Sequence, residues 1–348
     1  MIRAALFACA ACCTLAFAGP ALASYSPKLI VSGGGGPATV EVKVAAADAP
    51  TARVVIYVPL GYRVGSPQVG TTLGKVRATA AAADLNGAVL TLVGDLRVVD
   101  PATFTAVQKQ TEQLCLDGST ASQVWDMHVS AVGQVLDIPL YVIAASPTEK
   151  AFAGTKLEVC LPPPDVPVGT PGRSTFGAKL LSASFTSSAI AGPASAGEYR
   201  WRTLWTPYVP LKGTPNLAGS VEAQALVRSP ARITQKAVAQ RRQAGRVTVT
   251  VAGKVTEHGV PVTGARVAVY TGGTKSKLHR LKTVTTNAKG VYVARVVVKR
   301  PQWFRSVVGV PLRDLHATGC TPTFPPARCI DATVGAYRLT SAFARVRG

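Results

Sequence analysis

The feature that most constrains this chain is a two-residue alternation of β-branched side chains that recurs along nearly its whole length. Val40, Val42 and Val44 alternate with Glu41 and Lys43, and Val247, Val249 and Val251 alternate with Thr248 and Thr250. Residues 53–58 form a β-branched run closed by Pro59, and 266–270, 281–285 and 291–298 repeat the habit. Side chains of a strand point alternately to opposite faces, so this pattern suits strands with one buried face. Turns bearing Gly, Pro or Asn separate the runs, which predicts an all-β fold of antiparallel β-sandwiches. The one helix candidate is 101–115, with Asp100 as its cap and Pro101 in the first turn. Its apolar spacing through Phe104, Val107 and Leu114 is loose, which equally suits a short connector. At 47% hydrophobic and 16% charged residues, the chain is too apolar for disorder and too sparsely charged for a coiled coil. Its 348 residues leave room for two domains.

Residues 1–23 read as a cleaved signal peptide. Arg3 gives a positive start, 4–18 is an uncharged apolar run, Gly19-Pro20 breaks it, and Ala21-Leu22-Ala23 is a small-x-small cleavage site. A lipidation match ending at Cys9 comes too early in the chain, and a cleaner protease site follows it. No later stretch reaches the length of a membrane-spanning helix, so the chain is expected to be secreted, extracellular and at most peripherally attached to the cell envelope. Export favours disulfides among Cys115, Cys160, Cys320 and Cys329. Three pairings are open, and proximity favours Cys115–Cys160 and Cys320–Cys329. His316, His258 and His279 share a half with the last two cysteines, but no second close pair completes a zinc-type set. No metal and no cofactor is expected.

Charge divides the chain near residue 228. Residues 24–227 carry 15 basic and 14 acidic side chains, whereas 228–348 carry 22 basic and 3 acidic ones. The division predicts an N-terminal β-sandwich domain at 24–227, an exposed basic linker at 228–246 and a second sandwich at 247–348. Within the latter, Gly259-Val260-Pro261 suits a turn between strands, and Asn287 to Gly290 suits a hairpin loop whose glycine takes a positive φ. Gly253 through Gly259, Pro261, Gly264, Ala265, Val267, Val269 and Tyr270, followed by Thr285-Thr286-Asn287-Ala288-Lys289-Gly290-Val291-Tyr292, resembles the carboxypeptidase regulatory-like module. The resemblance covers roughly 247–298. It implies a transthyretin-like, Ig-type sandwich of about seven strands and an accessory, non-catalytic role in stability, spacing or adhesion. The N-terminal half resembles no family.

Catalytic motifs are missing: there is no Gly-x-Ser-x-Gly, no His-Glu-x-x-His, no phosphate loop and no dinucleotide glycine pattern. Residues 33–36 are a glycine run followed by Pro37, a flexible loop more than a phosphate cradle. Asp126 with His128 offers a base and its orienter, and Asp117 with Asp126 a pair of acids, but such pairs arise in any chain of this size. The chain is therefore expected not to be an enzyme.

Two binding surfaces are predicted instead. One is polyanion binding by Arg228, Arg232, Lys236, Arg241, Arg242, Arg246, Lys275, Lys277, Arg280 and Lys282. Its targets would be an anionic envelope polymer or a phospholipid surface, not a physiological nucleic acid. The other is candidate glycan contact by Tyr199, Trp201 and Trp205. A strand would set these on one face with Thr203, opposite Arg200, Arg202 and Leu204, and burial in a core is the commoner fate of such residues. The expected function is a secreted, non-catalytic binding protein with a cationic C-terminal tether. The alternative is a secreted glycan-binding protein or hydrolase working through its N-terminal half. Strand edges pairing with a protein partner are a third reading.

Overall fold

The computed structural model of the chain describes residues 25–32, 37–243, 246–299, 301–315, 328–334 and 336–346. The expected signal peptide, the 33–36 glycine run, His316 and Cys320 lie outside the described residues. The fold is all-β, with one α-helix among the described residues.

Thirteen described strands form one sheet. In spatial order they are Lys28–Ser32, Ala38–Lys43, Ala178–Ser187, Thr72–Ala82, Ala88–Val99, Ala121–Ala131, Gln134–Ala144, Ala153–Cys160, Thr51–Pro59, Gly197–Pro207, Val221–Ser229, Arg328–Val334 and Arg313–Leu315. The pairings are antiparallel except that Arg328–Val334 runs parallel to Val221–Ser229. The sheet curls until its two margins meet, and the Thr333 hydroxyl donates to the carbonyl of Leu29. Its inward side chains share one core, in which Trp125, Trp201 and Trp205 are fully buried.

The N-terminal half was expected as two facing sheets, and it is one barrel-like sheet. Short turns keep successive strands beside each other, and glycines let the sheet bend sharply. A Cβ at Gly74 would lie 1.9 Å from the Thr186 carbonyl oxygen, and one at Gly94 would lie 1.8 Å from that of His128. At those two points neighbouring backbones approach as no other residue permits.

The strand directions give this barrel two distinct ends. The turns at 83–87 and 132–133 and the loop 161–177 lie at one. The connection 100–120 lies at the other, where Val221–Ser229 hands the chain to the second body. Helix formation in that connection starts later than expected. Asp100 caps only a single 3₁₀ turn, Pro101–Thr103. Phe104 and Thr105 are then extended, and the α-helix runs Ala106–Leu116 with Thr105 and Gln108 closing a capping box. Its last turn packs Cys115 and Leu116 on Val124, Tyr141 and Ile143. The disulfide Cys115–Cys160 fastens it to the sheet, as expected. Cys329 is also disulfide-bonded.

The second body is a sandwich. In one sheet Arg246–Glu257 pairs with Ala231–Ile233 and Lys236–Gln243 on one side and Val291–Val298 on the other, with Val260–Pro261 at its end. The other sheet is His279–Thr285, Arg266–Gly272, Gln302–Val310 and Tyr337–Thr340, with Ala344–Val346 also on Gln302–Val310. Val249, Val251 and Ala294 of the first sheet share a cluster with Val269, Phe304 and Val346 of the second. Val255 and Tyr292 likewise meet Val267 and Val308.

Three details differ from the sequence reading. Residues 231–243, expected as an exposed linker, are strands, because alternate side chains there find a neighbour in Arg246–Glu257. The Asn287 loop has the expected glycine, φ +70 at Gly290, and the Asn287 side chain accepts from the Lys289 and Val291 amides. It is an arch from one sheet to the other, however, not a hairpin between paired strands. Finally, 247–348 is not one continuous unit, since Arg313–Leu315 and Arg328–Val334 leave the sandwich to extend the barrel sheet.

Candidate functional site

The outer face of the sheet built on Gln302–Val310 gathers cations and rings. Its interior takes Phe304, Ser306, Val308 and Val310, so Trp303, Arg305, Val307 and Gly309 point outward. Register then sets their neighbours. Tyr270 lies opposite Arg305 and Arg280 opposite Tyr270. Arg345 lies opposite Trp303, and Arg266 and Arg338 flank Gly309. Lys275, from the turn after Arg266–Gly272, reaches over the same surface.

The rings and cations are stacked. The Lys275 ammonium sits 4.6 Å from the Trp303 ring centroid and 5.5 Å from that of Phe343. Arg305 lies 4.6 Å from the Phe343 ring, and Arg345 5.4 Å from the Trp303 ring. Trp303 and Phe343 meet edge to face at 6.2 Å. Each such contact contributes on the order of 0.5–1 kcal/mol at an exposed site and holds the cation in place. Among the described residues no carboxylate pairs with Lys275, Arg280, Arg305 or Arg345, and Arg305 Nε is buried without a hydrogen-bond acceptor. With strands about 4.8 Å apart and about 3.3 Å per residue, the surface measures roughly 15 by 20 Å.

Of the residues expected to bind polyanions, the structure brings Lys275 and Arg280 to this face. Lys277 is exposed in the turn beside it, whereas Lys282, the register partner of inward-facing Val269, is exposed on the other side of the edge strand. Arg232, Lys236 and Arg246 are exposed on the outer face of the opposite sheet, with Lys254 and Arg295. That face carries half-exposed valines, Val238, Val293 and Val297, in place of rings. Arg241 and Arg242 lie in the strand Lys236–Gln243, and their side chains are outside the described residues. Arg228 is engaged: its Nε donates to Glu198 at 2.7 Å, and it lies 3.9 Å from buried Glu257. Arg266, Arg305, Arg338, Arg345, Trp303, Phe343 and Tyr270 were not among the binding residues expected from the sequence. Trp303-x-Arg305 was the available signal, but Phe343 and Arg345 join it only through strand pairing.

The glycan reading loses its ground. Trp201 and Trp205 are fully buried on the inward face, and Trp205 Nε1 donates to Thr203. Tyr199 is half-buried and packs edge to face on Tyr62, 5.6 Å between centroids. The alternation expected for this strand is present, and its aromatic face fills the barrel core.

Asp126 and His128 do come together, on the outer face of the barrel, with Asp137 and Arg97. His128 Nδ1 lies 2.5 Å from Asp137, and the Arg97 guanidinium reaches Asp126 at 3.1 Å, Asp137 at 3.3 Å and His128 at 2.9 Å. Burial, and then the charge of Asp137, pushes the Asp126 carboxyl up to about 6, while Arg97 opposes that shift. Asp137 is held below the usual carboxylate range by hydrogen bonds from His128 and Asp126, working against its own desolvation. Two carboxylates and an imidazole within reach of each other could hold a cation, but the Arg97 guanidinium already bonds to all three. The arrangement is an ion-paired patch on the sheet.

No protein-family model matches the sequence, and no curated protein matches it either.

Proposed function

We propose that the chain is a non-catalytic binding protein whose C-terminal sandwich holds an extended polyanion on the Trp303 face. The observation that carries this reading is one sheet face bearing Arg266, Lys275, Arg280, Arg305, Arg338 and Arg345 beside Tyr270, Trp303 and Phe343, with no carboxylate among its described residues. Cations already stacked on rings lose little freedom on binding, so anionic groups gain the full charge interaction. The rings add apolar contact to the sugar or acyl parts between charges. With residues 1–23 read as an export signal, the target is an anionic envelope polymer or phospholipid surface met outside the cytoplasm. No described helix is long and apolar enough to cross a membrane, in keeping with peripheral attachment. An accessory role like that of carboxypeptidase regulatory-like modules is part of the same proposal.

The test is retention of the full chain on immobilised dextran sulfate and on isolated anionic envelope material across a NaCl titration. Retention weakens as salt rises, because screening and counterion release weaken charge contacts. The triple variant Arg280→Gln, Arg305→Gln, Arg345→Gln elutes at clearly lower salt. Trp303→Ala lowers retention at every salt concentration by a similar factor. Equal retention of wild type and the triple variant would overturn the proposal.

A further inference from the structure

The core of the barrel is not filled. A cavity of about 60 Å³ lies between Val42, Ile56, Ala78, Met127, Ala183 and Phe185, and its walls are apolar throughout. Native interiors seldom leave room beyond a single water, and this volume holds roughly five water-sized groups by the measure that one needs about 10–15 Å³. Water gains no hydrogen bond there, so an apolar guest is favoured. The space has a plain origin: Ala78 and Ala183 are direct register partners on adjacent strands, so two small side chains stand side by side where valine or leucine fills the wall elsewhere.

The cavity also has an entrance. Along Gln134–Ala144 the inward side chains pass from half-buried Leu136 and Ile138 to Leu140 and Val142, which are sealed. Along Ala178–Ser187 they pass from half-buried Leu180 and Ala183 to buried Phe185. Both gradients open toward the end carrying the turns at 83–87 and 132–133. At that end the turn exposes Val132 (67%), and Val135 (57%) and Val89 (62%) leave apolar side chains on the outer face beside it. The opposite end is plugged by Tyr62, Ile190 and Trp201.

We propose that this barrel binds the end of one hydrocarbon chain, taken in through the Val132 rim and seated against Ala78 and Ala183. The shared chemistry is an unbranched alkyl or acyl tail, from a free fatty acid or from a membrane lipid. The proposal is independent of polyanion binding at the other body.

The experiment uses the full chain and a fluorescent polyene fatty acid, offered free in one arm and esterified in phosphatidylcholine vesicles in the other. The expected result is saturable uptake at one probe per chain that molar NaCl does not displace. Uptake from the free acid alone assigns the source as fatty acid, and uptake from vesicles assigns it as lipid. Ala183→Leu fills the cavity and weakens uptake by about tenfold or more, while its thermal midpoint stays at or above that of wild type. Ala78→Val, a smaller filling, reads the same loss if Ala183→Leu does not fold. No uptake by wild type, equal uptake by both filled variants, or displacement by salt would each overturn the proposal. Salt displacement would place the probe on the cationic face instead.

Discussion

Asp126 shows how one residue acquires a property that its neighbours in sequence do not supply. It is 4% exposed, and the outward parity of its strand sets it against Arg97 and Asp137 across two neighbouring strands. A carboxyl whose folded pKa lies above its ordinary value adds stability where it is protonated. For Asp126 that contribution is complete below about pH 4 and is lost as pH rises through about 6. Asp137 works in the opposite sense, with stability present above its ordinary pKa and lost as pH falls. The expected outcome is that Asp126→Asn removes the downward slope, so thermal midpoints of wild type fall relative to the variant between pH 4 and 6. Parallel midpoint curves across that window would contradict the assignment. The sequence showed Asp126 and His128 two residues apart, on one face of a strand. It did not show Arg97 between them, because that contact depends on pairing with Ala88–Val99.

At the level of elements, the alternation of valines with polar residues was sufficient for strands, and every run read as a strand is one. The 3.6-residue pattern was weaker, and the helix begins at Ala106, where Thr105, five residues past Asp100, closes a capping box with Gln108. Proximity also picked out Cys115–Cys160 correctly among the open pairings. That bond closes a loop of 45 residues and pins the helix over Tyr141 and Val124. Loop-closure entropy alone makes it worth about 4 kcal/mol. The double variant Cys115→Ala, Cys160→Ala should therefore lose roughly that much in urea unfolding, with the helix end exchanging its amides faster than the barrel strands. A loss under about 1 kcal/mol would show that packing of the helix, not the bond, holds it.

On the scale of the whole molecule, the two bodies are joined by a buried carboxylate. Glu257, 2% exposed, takes two hydrogen bonds of 2.9 Å from Arg313, accepts another from the Tyr337 hydroxyl and lies near Arg228. Burial and the carboxylate both raise the Tyr337 pKa, so its hydroxyl stays a donor. Removing one member of such a group leaves buried charge unpaired and costs about 3–5 kcal/mol. Glu257→Ala should show that loss in urea unfolding, and Glu257→Gln a smaller one; no change in either would mean that the strand pairings alone join the bodies. By itself, the sequence determined the all-β class, the strand runs, the first disulfide and the concentration of positive charge after residue 228. Those follow from local periodicity and composition, which each segment carries regardless of its neighbours. Tertiary structure alone decided that the first half closes into a barrel, that Arg328–Val334 returns to it, that the tryptophans of Gly197–Pro207 point inward, and that Trp303 meets Phe343, Lys275 and Arg345. Each of these rests on which strand pairs with which and in what register, and a shift of one residue would turn every side chain to the other face.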